Sequence, residues 1–247
     1  MSKLVALNPL HHRHLKVDTK KVEEYGADLH MIPVGVNEFA KIVAQFPILF
    51  TKNAQTGQFN CIALTGFEEG ENLFWQNAQF DSVYIPLSVM RQPFFVGQDE
   101  QSGQDYVMCI NELSSVLSKT EGEALFDENG QATPFLAQAQ ECLAQLVSGE
   151  QQTFDYIQML NDLKLLVPLS LEFTFIDEQS RKIQGLYSID EDKLKQLDGK
   201  TLEKLNSSGS LQLMYTQIAS LAQIYVLLNK KNQKLGEVDP WFSAAAE

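Results

Sequence analysis

From Leu169 to Phe175 the chain alternates without a break: Leu169, Leu171, Phe173 and Phe175 fall on one side, and Ser170, Glu172 and Thr174 on the other. Successive side chains of a strand point to opposite faces of a sheet, so this pattern specifies a half-buried strand. The polar loop Asp177 to Arg181 then leads into the apolar run Ile183 to Ile189, and the two runs read as a hairpin. Two further hairpins are legible. One joins Ile48–Thr51 to a strand carrying Phe59, Cys61, Ala63 and Thr65 through the turn Asn53–Gly57. The other joins Pro93–Val96 to Tyr106–Ile110 through the polar loop Gly97–Asp105.

Elsewhere the apolar period changes to three and four. Phe135, Leu136, Ala139, Cys142, Leu143, Leu146 and Val147 mark one helix face, begun by Thr133 and Pro134 and ended by Gly149. A second helix, capped by Thr153, carries Phe154, Ile157, Leu160 and Leu163. Short helices are expected after Asn37, bearing Phe39, Ile42, Val43 and Phe46, and after Asp190, bearing Leu194 and Leu197. A last helix runs from Ser210 to about Asn229. Hairpins with helices grouped between and after them predict an α+β fold, an antiparallel sheet with helices packed on it, in a single domain over residues 31–235. Residues 1–30 read as an N-terminal arm and 236–247 as a C-terminal tail.

A chain of 247 residues can bury a sizeable core without disulfides or metal. Its three cysteines, Cys61, Cys109 and Cys142, are widely spaced and form no CxxC pair, so they read as buried thiols. The net charge of −13 repels phosphate backbones and anionic lipid, which speaks against nucleic acid as a partner. Met1–Leu15 has no apolar core of a signal peptide, and Gln212, Gln217, Ser220 and Gln223 interrupt the longest apolar helix. The expectation is a cytoplasmic protein without membrane insertion.

Chemistry-bearing patterns are sparse. The sequence has no GxxxxGK[ST], no GxGxxG and no GxSxG. All four histidines precede residue 31, so histidines from several core elements cannot build a metal or acid–base site. His11, His12 and His14 read as part of a solvent-facing arm, and neither a metal nor another cofactor is expected. Asp127–Gly130 places its glycine too early for a calcium loop and reads as a β-turn. The unusual window is Glu71–Val96, where Phe74, Trp75, Phe80, Tyr84, Phe94 and Phe95 crowd around one arginine, Arg91. Aromatic rings and an arginine serve as anchors in pockets and interfaces, and equally fill cores. The residues singled out for binding are Asn72, Trp75, Tyr84, Arg91 and Phe94.

That window, with segments before and after it, resembles the SapC family, bacterial proteins of about this length. The likeness is carried by Phe46-Pro-Ile-Leu-Phe50, Glu71-Asn-Leu-Phe74, Tyr84-Ile-Pro86, Arg91 and Pro93-Phe94. It continues through Leu125-Phe-Asp-Glu-Asn-Gly130, Gly185-Leu-Tyr-Ser-Ile-Asp-Glu191, Lys193-Leu194, Tyr215 and Ser220-Leu221. Gln92 stands where the family pattern has an aromatic residue. The resemblance implies a link to a surface-layer or uptake pathway, with halogenase-like proteins among the candidate partners, and it brings no catalytic residues. The expected function is a non-catalytic accessory or binding protein with a protein partner. The alternative is an enzyme on a small carboxylate-bearing organic substrate, with Arg91 holding the carboxylate and Asn72 and Tyr84 moving protons.

Overall fold

The structure is a computed structural model and describes residues 3–99, 104–178 and 180–236. Parts of the loop expected at Gly97–Asp105 and of the loop at Asp177–Arg181, and all but the first residue of the C-terminal tail, lie outside the described residues. In chain order the elements begin with β1 (Leu4–Ala6), α1 (Pro9–His12), β2 (Lys16–Val17), β3 (Met31–Pro33), α2 (Phe39–Ile42), β4 (Ile48–Lys52) and β5 (Phe59–Leu64). There follow β6 (Trp75–Gln76), β7 (Gln79–Phe80), α3 (Leu87–Met90), β8 (Phe94–Asp99), β9 (Gln104–Asn111), β10 (Leu117–Ser118) and β11 (Glu123–Ala124). The remainder is α4 (Pro134–Asp162), β12 (Leu166–Thr174), β13 (Ser180–Ile189), α5 (Glu191–Lys195), α6 (Gly199–Ser207), α7 (Ser210–Ser220) and α8 (Gln223–Gly236). The fold class is α+β with antiparallel pairing, as the sequence predicts.

The chain divides into two compact units. The first holds the described residues up to Ala27, with Trp75–Asp81 and Ile85–Gln151. Its main sheet has the order β1-β9-β8, beside a small sheet β10-β2-β11 and the hairpin β6-β7. Val17, Val22, Phe94, Ile110, Val116, Leu125, Leu136 and Leu143 form its core. Phe94 lies directly across from Ile110, which places both on the same buried face. Asp127 forms the expected turn, its Oδ1 accepting from the amides of Asn129 and Gln131 at 2.8 Å.

The first residues are ordered more than the sequence suggests. Leu4–Ala6 pairs with β9, and His12, expected in solvent, is only 3% exposed. The amide of Asn8 donates to His12 Nδ1 at 2.9 Å, and Nε2 faces the Glu112 carboxylate at 3.3 Å. Lys3 Nζ stands 2.6 Å from the same carboxylate. Lys3 first, then His12, holds the Glu112 carboxyl below the usual glutamate value. A carboxyl depressed by folding adds stability that is complete above the unfolded-state pKa of about 4.3 and is lost as pH falls through the folded value. Glu112→Gln should therefore lower the melting temperature at pH 7 while the two proteins converge in strong acid. An equal gap at both pH values would mean that the charge of Glu112 is not what stabilises.

The second unit holds Asp28–Phe74, Ser82–Tyr84 and the described residues from Gln152 onward. Its sheet has the order β12-β13-β4-β5-β3. The alternation of β12 is realised: Leu171 and Phe175 are buried while Ser170, Glu172 and Thr174 are exposed. Between Leu169 and Leu171 the register shifts by one residue on β13, where Gly185 adopts φ +80°. Glycine is suited to the left-handed position of such a bulge. Tyr156 packs edge-on against Phe39 and stacks over Phe50, and its hydroxyl donates to Gln217 Oε1 at 3.3 Å.

Four helix expectations change. Gly149 does not stop a helix: α4 runs through it to Asp162, where Lys164 at φ +53° and a hydrogen bond from Leu165 to the Leu160 carbonyl close the last turn. Thr153 lies inside α4, and its hydroxyl accepts the amide of Val36 at 3.0 Å, satisfying the first donor of the 3-10 turn Val36–Glu38. That turn is closed at its start by Glu38 Oε2, which accepts the Gly35 amide at 3.0 Å, rather than by Asn37. The last helix is two, α7 and α8, parted at Leu221–Ala222. The run Ser210–Gly236 is long and apolar enough, by length and composition, to cross a membrane. Here it packs in the unit with Met214, Gln217, Ser220, Ile224 and Leu227 buried, and the Ser220 hydroxyl accepts the Ile48 amide at 2.8 Å. Of the cysteines only Cys61 is buried; its thiol is pushed far up in pKa by burial, and Cys109 and Cys142 are half-buried.

Candidate functional site

The singled-out residues fall into both units. In the first unit, α3 ends at Arg91 and hands over through Gln92–Pro93 to β8. The guanidinium carbon of Arg91 lies 4.1 Å from the centroid of the Phe95 ring, and Nη1 donates to the Phe94 carbonyl at 3.3 Å. Among the described residues Arg91 has no carboxylate partner. Burial lowers its pKa from the usual arginine value, with the neighbouring Cys142 acting in the opposite direction. The Cys142 thiol faces the Leu87 carbonyl at 3.9 Å. Next to Arg91, the side-chain oxygen Oε1 of Gln92 is buried with no hydrogen-bond partner among the described residues.

Trp75 is half-buried on β6, with its ring edge-on to Phe80 at 5.9 Å. Asn77 and Ala78 join β6 to β7 with φ of +51° and +60°, the positive pair that a tight two-residue hairpin requires. Phe80 in turn rests on Gly26: a Cβ there would stand 2.6 Å from the Phe80 ring and 3.2 Å from Val89 of α3. Phe94 is 1% exposed and belongs to the core. The residue of this pair that meets Arg91 with its ring is Phe95. Strand alternation carries that distinction, since one of two adjacent strand residues faces in and the other out.

Asn72 and Tyr84 belong to the second unit. Asn72 is buried, and its Oδ1 accepts the Phe74 amide at 2.9 Å, a local turn contact. The Tyr84 hydroxyl donates to Glu38 Oε1 at 2.8 Å, and Lys41 Nζ stands 5.2 Å over its ring. Glu38 is 2% exposed, and these contacts account for a carboxylate at that depth. Among the described residues no group of three histidine, cysteine or acidic side chains could hold a metal ion.

Set against descriptions of known protein families, residues 7–227 match SapC. The chain belongs to the SapC family. The SapC match takes in β2 to β13, all of α2 to α7 and every residue singled out above. Comparisons with curated proteins and with solved structures found no match.

Proposed function

We propose that this SapC-family protein is a non-catalytic binding protein, and that the group it recognises is a carboxylate of a protein partner, gripped by Arg91. The observation that supports this reading is the state of the guanidinium. It is half-buried, with its carbon 4.1 Å from the Phe95 ring centroid, and among the described residues its hydrogen bond goes to the Phe94 backbone carbonyl. Arginine offers five donors in a planar fork, so most of them stay available to a bidentate acceptor. Partial loss of solvent strengthens the attraction to an incoming anion. Trp75 supplies a half-buried ring in the same unit, of the kind that anchors interfaces. The family resemblance supports a surface-layer or uptake-linked pathway as the setting.

The test is affinity capture from the native lysate with the parent protein, Arg91→Lys and Arg91→Ala, each checked by thermal melting. The parent should capture one protein in stoichiometric amount, and both variants should lose at least about tenfold of it, because lysine cannot present the fork. Melting should change little, since what is removed is one long hydrogen bond and a contact with the half-buried Phe95 ring. Undiminished capture by Arg91→Ala would overturn the proposal.

A further inference from the structure

We infer a second binding site, independent of Arg91, in the second unit: the groove between the start of β12 and the start of α5 takes a small organic cation with an apolar body. The groove has a volume of about 440 Å³, within the range of small-molecule sites. Val167, Leu169 and Leu221 supply apolar lining, and the charged groups around it are Asp190, Glu191, Asp192 and Lys195. Asp190 caps α5, its Oδ1 accepting the Lys193 amide at 3.0 Å, and Glu191 and Asp192 against the one ammonium leave the groove negative. Lys195 reaches Glu191 and Asp192 only at 3.7 and 3.9 Å, exposed ion pairs that contribute little and give way to a competing cation.

Ser188 is the observation that separates this groove from an ordinary acidic surface. It lines the groove and is 5% exposed, and its hydroxyl is buried with no hydrogen-bond partner among the described residues. Its side chain shares a face with Val167, directly across the ladder. An unpaired buried hydroxyl destabilises the free protein, and a ligand that brings a donor or acceptor to it removes that penalty. Strand addition by a peptide is the competing use of this place, since β12 is an edge of its sheet. Pro168, which also lines the groove, lacks the backbone donor such pairing needs. The chemistry that fits is one ammonium group facing the carboxylates and a small apolar body on Val167, Leu169 and Leu221.

The probes are benzylamine, its neutral counterpart benzyl alcohol and the anion benzoate, each titrated into the full chain and followed by backbone amide NMR. Benzylamine should shift the amides of residues 188–192 to saturation, benzyl alcohol should bind more weakly, and benzoate should leave them unmoved. The double variant Glu191→Gln, Asp192→Asn should lose about five- to tenfold of the benzylamine affinity, the sum of two exposed charge interactions. Ser188→Ala should raise the melting temperature of the free protein and weaken benzylamine binding together, opposite signs that a purely structural serine would not give. Benzoate binding as tightly as benzylamine, no saturable shift at residues 188–192, or a Ser188→Ala protein that melts lower with unchanged affinity would each overturn the inference.

Discussion

Replacing Gly122 with alanine should destabilise the protein by about 3 kcal/mol or more, enough to threaten folding of the first unit. Gly122 has φ +98°, and a Cβ there would lie 2.2 Å from the Val17 carbonyl oxygen, 2.5 Å from its carbon and 2.8 Å from the Asp18 nitrogen. These are backbone atoms with nowhere to retreat. Val17 is fully buried on β2, which pairs with β10 on one side and β11 on the other, and the Asp18 amide donates to the Val116 carbonyl at 2.8 Å. Gly70→Ala is the control: its φ of +82° carries the same left-handed strain, but its Cβ would meet nothing within 4 Å. It should cost only about 1 kcal/mol, so the difference between the two isolates the collision. Denaturant unfolding of both variants measures it, and equal losses would show that the loop before β11 yields.

Phe94→Ala should cost about 3–5 kcal/mol, the range for removing a buried aromatic ring from a core. The ring is 1% exposed and lies among Val17, Ile110, Leu125 and Leu136 in the same cluster, with Phe135 6.4 Å away. Phe95→Ala removes a half-buried ring and should cost distinctly less in stability. It should nevertheless impair partner capture as Arg91→Ala does, because the guanidinium loses the ring it packs on. Unfolding midpoints together with capture yields separate the two roles. A Phe94→Ala protein with near-parental stability would remove it from the core and return it to the candidate site.

Strands were legible where four or more residues alternate. Leu169–Phe175 declares its faces unaided, the run Phe59–Leu64 reads as a strand although Cys61 to Leu64 are buried on both faces, and Asn53, whose Oδ1 accepts from the amides of Gln55 and Thr56, declares the turn between β4 and β5. The two-residue strands Lys16–Val17, Leu117–Ser118 and Glu123–Ala124 carry no period; their pairing is set by partners about a hundred residues away. Helix ends were misplaced where a signal was spent elsewhere. Thr153 has the chemistry of a cap and makes one, but for the turn at Val36. Gly149 is tolerated inside a helix at a modest cost once tertiary packing holds both flanks.

For the site, an arginine among aromatics was readable, whereas the choice between Phe94 and Phe95 needed the register with Ile110. Asn72 and Tyr84 look like reactive polar groups in sequence, yet the first closes a turn and the second serves the buried Glu38. Of the charged groups of the groove only Asp190 carries a sequence reading, as the cap of a short helix, and its Oδ1 accepts the Lys193 amide at 3.0 Å. Only the unpaired Ser188 hydroxyl, a property of packing, sets that place apart.

The interleaving of the two units along the chain has a consequence for how this protein is made. The first unit needs residues from before Ala27 and from as late as Gln151, and the second begins at Asp28 but draws its longest segment from Gln152 onward. A ribosome emitting this polypeptide therefore cannot release one finished half and then build the other. The hairpin of β4 and β5 emerges early but waits for β13, its neighbour on the open side of β4, until Ser180–Ile189 has been made. During that interval an apolar strand edge is exposed, the situation in which nascent chains depend most on chaperones. Splitting the gene at any single point would divide at least one unit, so halves expressed separately should be insoluble alone.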